Sequence, residues 1–318
     1  MSLPRVHLIA TGGTIAGVAD DPAATTRYQA GSLAGHALLE SIPEAHRAAS
    51  ISIAQPFNLD SKDLGPGHWL QLARDVSSAL ADPAVDAVVV THGTDTLEES
   101  AFLLDRLLPP GKPVVMTCAM RPASAHSADG PLNLLHALRV AASGATREAG
   151  VVAVVNERIH AASRLRKGHS HALDAFEHGD SAIGWSDPPG LDGRPEVPAR
   201  MPSLLGRLDE LPRVDVLWVG AGSEPDLLAA SISHGARAIV LCLPGNGSLP
   251  ETWSDAVHKA LACHTVVVRA SRTGRGRVAR QPDDGGRLFA AGRLGPAQAR
   301  VALMLALAGG LAPDHFFY

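Results

Sequence analysis

The sequence predicts an α/β fold in two parts. A larger N-terminal domain, residues 1–190, carries a mostly parallel sheet flanked by helices. A smaller C-terminal α/β domain spans residues 213–318. Two observations carry this expectation. First, short apolar runs of strand length alternate with stretches whose apolar residues recur at helical spacing. Strand–helix–strand order repeated this often gives parallel sheets covered on both faces. Second, the texture changes between Ser186 and Pro212. Pro188, Pro189, Pro195, Pro198, Pro202 and Pro212 fall there among few apolar runs, which marks residues 191–212 as a linker.

Taken in order, the elements begin with the apolar run Val6–Ala10, which ends at a Thr-Gly-Gly turn. Val18–Ser32 is polar, aperiodic and rich in small residues, the texture of a mobile loop. Trp69, Leu72, Ala73, Val76 and Leu80 have helical spacing, and Ala87–Val90 reads as a buried strand. Leu97, Ala101, Leu104 and Leu108 form one face of a helix that Pro109-Pro110-Gly111 breaks. Val114–Cys118 is the next strand. Pro131 suits a first helical position, with Leu132, Leu135, His136, Leu138 and Arg139 continuing the helix. Val151–Val155 closes the N-terminal series. After the linker come strands at Val214–Val219, Ala238–Leu243 and Thr265–Ala270, with helices near Pro225–His234, Glu251–Cys263 and Pro296–Leu307. Trp218, inside a strand-like run, reads as core. No fixed-period repeat is present.

Composition narrows the function. Apolar residues make up 46% of 318, enough for a substantial core, and the net charge is only −4. No basic block points to nucleic acid or a membrane surface, and no apolar run reaches the length of a membrane span. The N-terminus lacks the pattern of a signal peptide. Cys118, Cys242 and Cys263 are odd in number and include no C-x-x-C pair, which suits a reducing compartment. A cytoplasmic location is expected. His169, His171 and His178 cluster without a zinc-site spacing, so no metal is expected. Arg272, Arg275, Arg277 and Arg280 have no interleaved aromatics and suit a solvated loop or an inter-subunit contact better than nucleic-acid binding.

The chemistry concentrates in four segments. Thr91-His92-Gly93-Thr94-Asp95-Thr96-Leu97-Glu98-Glu99 joins a strand to a helix N-terminus, where open α/β sheets place their sites. Read locally, Asp95 is equally an N-cap with Glu98 closing a capping box. Ala10-Thr11-Gly12-Gly13-Thr14-Ile15-Ala16-Gly17 follows the first strand. It lacks both phosphate-loop signatures, leaving a tight glycine turn or a close backbone approach to a ligand beside the Thr14 hydroxyl. A threonine hydroxyl is a weak nucleophile until a base takes its proton. Lys167 has the sequence context of a surface charge. Desolvated beside an acid and a hydroxyl, it becomes a proton relay that Asp95 could orient. Ala119-Met120-Arg121-Pro122, with Ser127-Ala128-Asp129-Gly130-Pro131, supplies backbone groups at the same sheet edge.

Thr11-Gly12-Gly13-Thr14-Ile15 and Thr91-His92-Gly93-Thr94-Asp95-Thr96 resemble the two signature motifs of the bacterial-type L-asparaginase family. The similarity extends through Ala119–Pro122, the Ser-Ala-Asp-Gly-Pro run and Leu243-Pro244-Gly245-Asn246-Gly247 to Gly295–Arg300, nearly the whole chain. The resemblance implies an amidohydrolase that releases ammonia from L-asparagine without metal or cofactor. Thr14 matches the family's nucleophile and Tyr28 the lid tyrosine that assists it. Thr94, Asp95 and Lys167 match a second triad, in which Thr94 handles water and Asp95 also holds the substrate's α-ammonium. Ser61 matches the receiver of the α-carboxylate, the Ala119 carbonyl the acceptor from the scissile amide, and Asn246 a further substrate contact. The resemblance also implies a homo-oligomer, a dimer of intimate dimers in which each C-terminal domain completes its neighbour's site.

Two positions depart from the family pattern. Lys62 stands beside Ser61 where the family carries glutamine, and Arg280 or Gln281 falls where a residue reaches the neighbouring pocket. A lysine in the pocket would repel an ammonium, which favours an amide without a free α-amino group or with an extra carboxylate. A Lys62 turned to solvent leaves L-asparagine as substrate. Two further alternatives are an ammonia-supplying amidotransferase subunit and a sensor without turnover. The first is disfavoured because the chain starts at the Thr-Gly-Gly-Thr strand. The second is disfavoured because the expected residue types stand at the five catalytic positions.

Overall fold

The computed structural model describes residues 2–176, 181–193, 199–282 and 284–317. The chain divides into two compact units, Met1–Leu205 and Gly206–Tyr318.

The first unit is built on an eight-stranded sheet. Its strands are β1 (Arg5–Ala10), β2 (Ser50–Ala54), β3 (Ala87–Thr91), β4 (Val114–Thr117), β5 (Val151–Val155), β6 (Arg158–Ala161), β7 (Ala182–Ser186) and β8 (Pro189–Leu191). Their spatial order is β2-β1-β3-β4-β5-β6-β7-β8. β1 to β5 pair in parallel, and β6 to β8 add on antiparallel. β3, β4 and β5 are buried along their whole length, as strands covered on both faces must be.

One face carries the short helices α1 (Gly35–Glu40) and α2 (Ala45–Ala48) and the longer α5 (Gly130–Ser143). Leu38, Leu39, Leu134 and Leu138 from these helices pack with Leu8, Val89, Val115 and Val152 of the sheet. α3 (Pro66–Ala81) and α4 (Leu97–Leu107) pack on the other face and against each other. α3 starts with proline inside its first turn, and Trp69, Leu72, Ala73 and Val76 form its buried face. The second unit has a parallel sheet ordered β12-β11-β10-β9. Its strands are β9 (Val214–Trp218), β10 (Ala238–Leu243), β11 (Val266–Ser271) and β12 (Leu288–Ala290). Its helices are α7 (Asp226–Ser233), α8 (Glu251–Ala262) and α9 (Pro296–Gly309). Among the described residues, no helix is long and apolar enough to cross a membrane.

Three expectations need correction. β5 does not close the N-terminal series. Asn156 and Glu157 take positive φ of 50° and 65°, and this two-residue turn reverses the chain into β6. That backbone is the preferred hairpin geometry, but Asn-Glu announces it less clearly than Asn-Gly. The proline-rich segment is more than a linker: it contributes β8, and α6 (Pro202–Leu205) buries Leu204 and Leu205. Trp218 is not core. β9 is an edge strand, and period two puts Trp218 on the face of Val216, leaving it 64% exposed beside the Arg272 guanidinium.

Candidate active site

The strand order β2-β1-β3-β4-β5 places a reversal between β1 and β3. The chain leaves β1 for β2 on one side and returns to β3 on the other. Open parallel sheets bind ligands outside the carboxyl ends of their strands at such a switch point. The two glycine-bearing motifs leave those two strands and touch there. A Cβ on Gly13 would overlap the Gly93 backbone, and one on Gly93 would overlap Ser61 Oγ. Gly12 and Gly13 have φ of 99° and 79°, where a side chain is strained in any case. Thr14 and Thr94 are therefore the first side chains on either side of a backbone contact that only glycine permits. Both are buried.

Thr14 opens a 3-10 turn, and its Oγ1 lies 2.8 Å from the Tyr28 hydroxyl. Residues 18–29 form a closed hairpin, with Val18 and Gln29 exchanging backbone hydrogen bonds of 3.0 and 2.8 Å. Gly31 N–H donates to Gly13 O, and Asn58 Nδ2 donates to Gly31 O. The Tyr28 ring covers Gly17, where a Cβ would collide with it.

Across the contact, Lys167 Nζ donates to Thr94 Oγ1 at 2.8 Å and to Asp95 Oδ1 at 2.6 Å. The lysine side chain is 17% exposed and that of Asp95 52%. Among the described residues nothing bonds the second Asp95 oxygen, and a cleft of about 370 Å3 opens beside Asp95, Lys167, Gly168, His169 and Ser170. The capping-box reading of Asp95 fails. Thr96 is the N-cap of α4, and Glu98 accepts the Lys167 backbone N–H at 3.2 Å. Burial pushes the Glu98 carboxyl up to about 7. His92 is fully buried and its Nδ1 lies 2.7 Å from Gly93 O. A carbonyl only accepts, so Nδ1 carries the proton. Burial lowers the pKa of this imidazole to about 4 and keeps it neutral.

Ser61 begins a 3-10 turn after β2. Its carbonyl accepts from Thr96 Oγ1 at 2.8 Å, while its buried Oγ has no partner among the described residues. A buried hydroxyl without a partner is costly unless a ligand completes it. Lys62 is 59% exposed, and its ammonium bonds Asp60 at 2.8 Å and Asp63 at 2.9 Å. Those carboxylates hold it charged, with its pKa raised. Ala119 is fully buried after β4. Its loop is held by Asp129, which accepts the N–H groups of Met120 and Arg121, both at 2.9 Å. Asn246 belongs to the second unit, where it is exposed and its Oδ1 accepts from Ala279 N–H at 2.8 Å. Arg280 and Gln281 lie on the segment after Ala279, and Gln281 N–H donates to Asp284.

The His169 and His171 rings meet edge to face at 4.7 Å; His178 lies outside the described residues. Among the described residues no three His, Cys, Asp or Glu side chains converge as metal ligands. Arg272, Arg275, Arg277 and Arg280 are exposed. Two contributors went unread in the sequence. Asn58, which ties the chain at Gly31 just after the hairpin, carries no local signal. Glu98 was visible only as a helix-capping partner.

Comparison with known proteins points to one family. The family described as "Asparaginase, N-terminal" matches residues 5–185, and "Glutaminase/Asparaginase C-terminal domain" matches residues 213–316. The chain is 36% identical over 310 residues to "L-asparaginase 2" of Bacillus subtilis, covering 96% of this chain and 83% of that protein. It is 34% identical over 316 residues to "L-asparaginase 2" of Escherichia coli, covering 96% and 90%. A solved structure, "Probable Cytoplasmic L-asparaginase from Campylobacter jejuni", superposes with a TM-score of 0.92 at 34% identity, covering 98% and 97%. Two signature loops meeting at one switch point, two family domains matched in order and full-length relatives at this identity lead to one conclusion: the chain belongs to the bacterial-type asparaginase family.

Proposed function

We propose that this enzyme hydrolyses the side-chain amide of L-asparagine to L-aspartate and ammonia, with Thr14 as nucleophile. The observation that carries the reading is the Lys167 ammonium bridging Thr94 Oγ1 and Asp95 Oδ1, one backbone contact away from the Thr14–Tyr28 pair.

In this reading Thr14 Oγ1 adds to the amide carbon while its proton passes into the Tyr28 hydrogen bond. The amide nitrogen of the tetrahedral intermediate takes up that proton, its bond to carbon breaks, ammonia leaves, and an aspartyl ester on Thr14 remains. Thr94, held by Lys167, orients the water that attacks this ester. Water's oxygen bonds to the ester carbon, the bond from that carbon to Thr14 Oγ1 breaks, and the proton that water loses passes to Oγ1 to restore the hydroxyl. A positioned acid–base group of this kind contributes roughly 10²–10⁴-fold. The unpartnered Ser61 hydroxyl suits the α-carboxylate, and the open Asp95 oxygen suits the α-ammonium. The Ala119 carbonyl would accept from the amide nitrogen.

Lys62 decides between substrates. Its charge is matched by Asp60 and Asp63 and faces solvent, so it raises little barrier to an ammonium. This supports free L-asparagine over an amide lacking the α-amino group. Ammonia release from L-asparagine, D-asparagine, L-glutamine, succinamate and N-acetyl-asparagine tests the reading. Preference for L-asparagine is expected; preference for succinamate or the acylated amide would reverse it. We further assign catalysis to residues 1–190, and a cytoplasmic homotetramer to the whole. Two buried, unpaired cysteines, Cys118 and Cys242, and the name of the Campylobacter relative support the location. Light scattering in solution tests the assembly.

A further inference from the structure

The sequence offers a capping box at the start of α4, and the carboxylate meant for it goes elsewhere. Glu98 stands in the first turn of α4, yet its Oε2 crosses 69 positions of chain to accept the Lys167 backbone N–H. The lysine's Nζ meanwhile reaches Thr94 and Asp95, immediately before the same helix. The β3–α4 junction thus grips Lys167 at both ends, main chain and ammonium.

The segment around Lys167 is irregular, held by the buried Leu165 before it and by the bonds of His171 and Ala172 N–H to His169 Nδ1 after it. The 3-10 turn Ala162–Arg164 ends three residues earlier, and no helix or strand follows through residue 176. Its backbone bonds include Leu165 N–H to Ala162 O at 3.4 Å and Gly168 N–H to Ala175 O at 2.6 Å. A lysine side chain is a long flexible stem. Whether its ammonium meets two partners at once is set by where its Cα is held.

We propose that Glu98 is a positioning residue for the reaction: its carboxylate anchors the Lys167 main chain, so that the lysine side chain spans to Thr94 and Asp95 in a single conformation. This rests on the roles given above to Thr94, Asp95 and Lys167. Glu99 on the same helix and Arg166 and Lys167 on the facing segment are the charged groups that act on Glu98. Burial is the strongest influence and, with Glu99, pushes the carboxyl up, to about 7. The Lys167 N–H and the two cations pull it back. An ionised carboxylate accepts a hydrogen bond more strongly than a neutral one. The anchor therefore weakens as pH falls through about 7.

The test compares the full-length wild type with Glu98→Gln and Glu98→Ala. The readouts are L-asparagine turnover against pH and hydrogen exchange in residues 165–170. Glu98→Ala is expected to lower kcat by about 10–100-fold with KM little changed, the scale set by small misplacements of a catalytic group. Exchange at 165–170 should accelerate while residues 101–107 of α4 keep their protection. Glu98→Gln retains an acceptor without a titrating charge; it should recover most of kcat and lose any acidic limb near pH 7. Unchanged exchange at 165–170 in Glu98→Ala, or loosened exchange with kcat untouched, overturns the proposal. So does loss of protection throughout α4 in both variants, which marks a purely structural role. If the wild type releases no ammonia from L-asparagine, the substrate reading fails while exchange still reads the anchor.

Discussion

The carboxyl ends of the parallel strands in the two sheets carry loops of similar kind and put them to opposite uses. In the second unit the loops after β10 and β11 are closed by Arg269. Its guanidinium is buried, pairs both oxygens of Asp284 at 2.9 and 2.5 Å, and donates to Gly247 O and Ala279 O. In the first unit the loops after β1, β2 and β3 meet through glycine backbones and leave side chains incompletely served. Among the described residues, Ser61 Oγ is buried without a partner, nothing bonds the second Asp95 oxygen, and the Thr14 hydroxyl bonds Tyr28 alone. A satisfied edge is structure. An edge with hydrogen-bonding capacity left over is a site.

Three substitutions probe this contrast, from the largest effect to the smallest. Lys167→Met removes the cation that unites Thr94 and Asp95. It should lower kcat by about 10³–10⁴-fold, as loss of a member of a catalytic triad does, with little change in thermal unfolding. A fall of less than tenfold would make the first edge as structural as the second. Arg269→Met should do the reverse. It leaves Asp284 buried and unpaired and should cost about 3–5 kcal/mol in denaturant unfolding of the second unit. A cost below 1 kcal/mol would show that this closed edge holds nothing.

Glu98→Gln gives the smallest effect, one with a defined sign. The Glu98 carboxyl lies near 4.5 when unfolded and about 7 when folded. Its folded value is raised, so its contribution to stability is complete below about pH 4.5 and lost as pH rises through 7. The wild type should therefore lose stability relative to Glu98→Gln across that window. Above pH 7 the variant should be ahead by on the order of 1–3 kcal/mol. Equal stability of the two proteins at pH 8 would contradict the burial of this carboxyl.

Much of the first edge was legible in the sequence because its chemistry sits in short, contiguous motifs. Thr14 and Thr94 follow glycines that announce close backbone contact, and the side chains of Asp95 and Lys167 lie 2.6 Å apart. What was not legible depends on distance along the chain. The reach of Glu98 to Lys167 spans 69 positions, and nothing near Glu98 distinguishes it from a capping residue. Trp218 was misread because periodicity gives a face but not whether another layer covers it. β9 turned out to be an edge strand. The β5–β6 hairpin was missed because its turn uses Asn156 and Glu157 at positive φ without a glycine to mark it.

The central claim is that the incompletely served edge does covalent chemistry at Thr14. The most direct measurement is peptide mapping by mass spectrometry of acid-quenched Thr94→Val protein after mixing with L-asparagine, since this variant should acylate but deacylate slowly. The account predicts an adduct of asparagine less ammonia on the peptide that contains Thr14. An adduct on any other peptide, or undiminished turnover by Thr14→Ala, would contradict it.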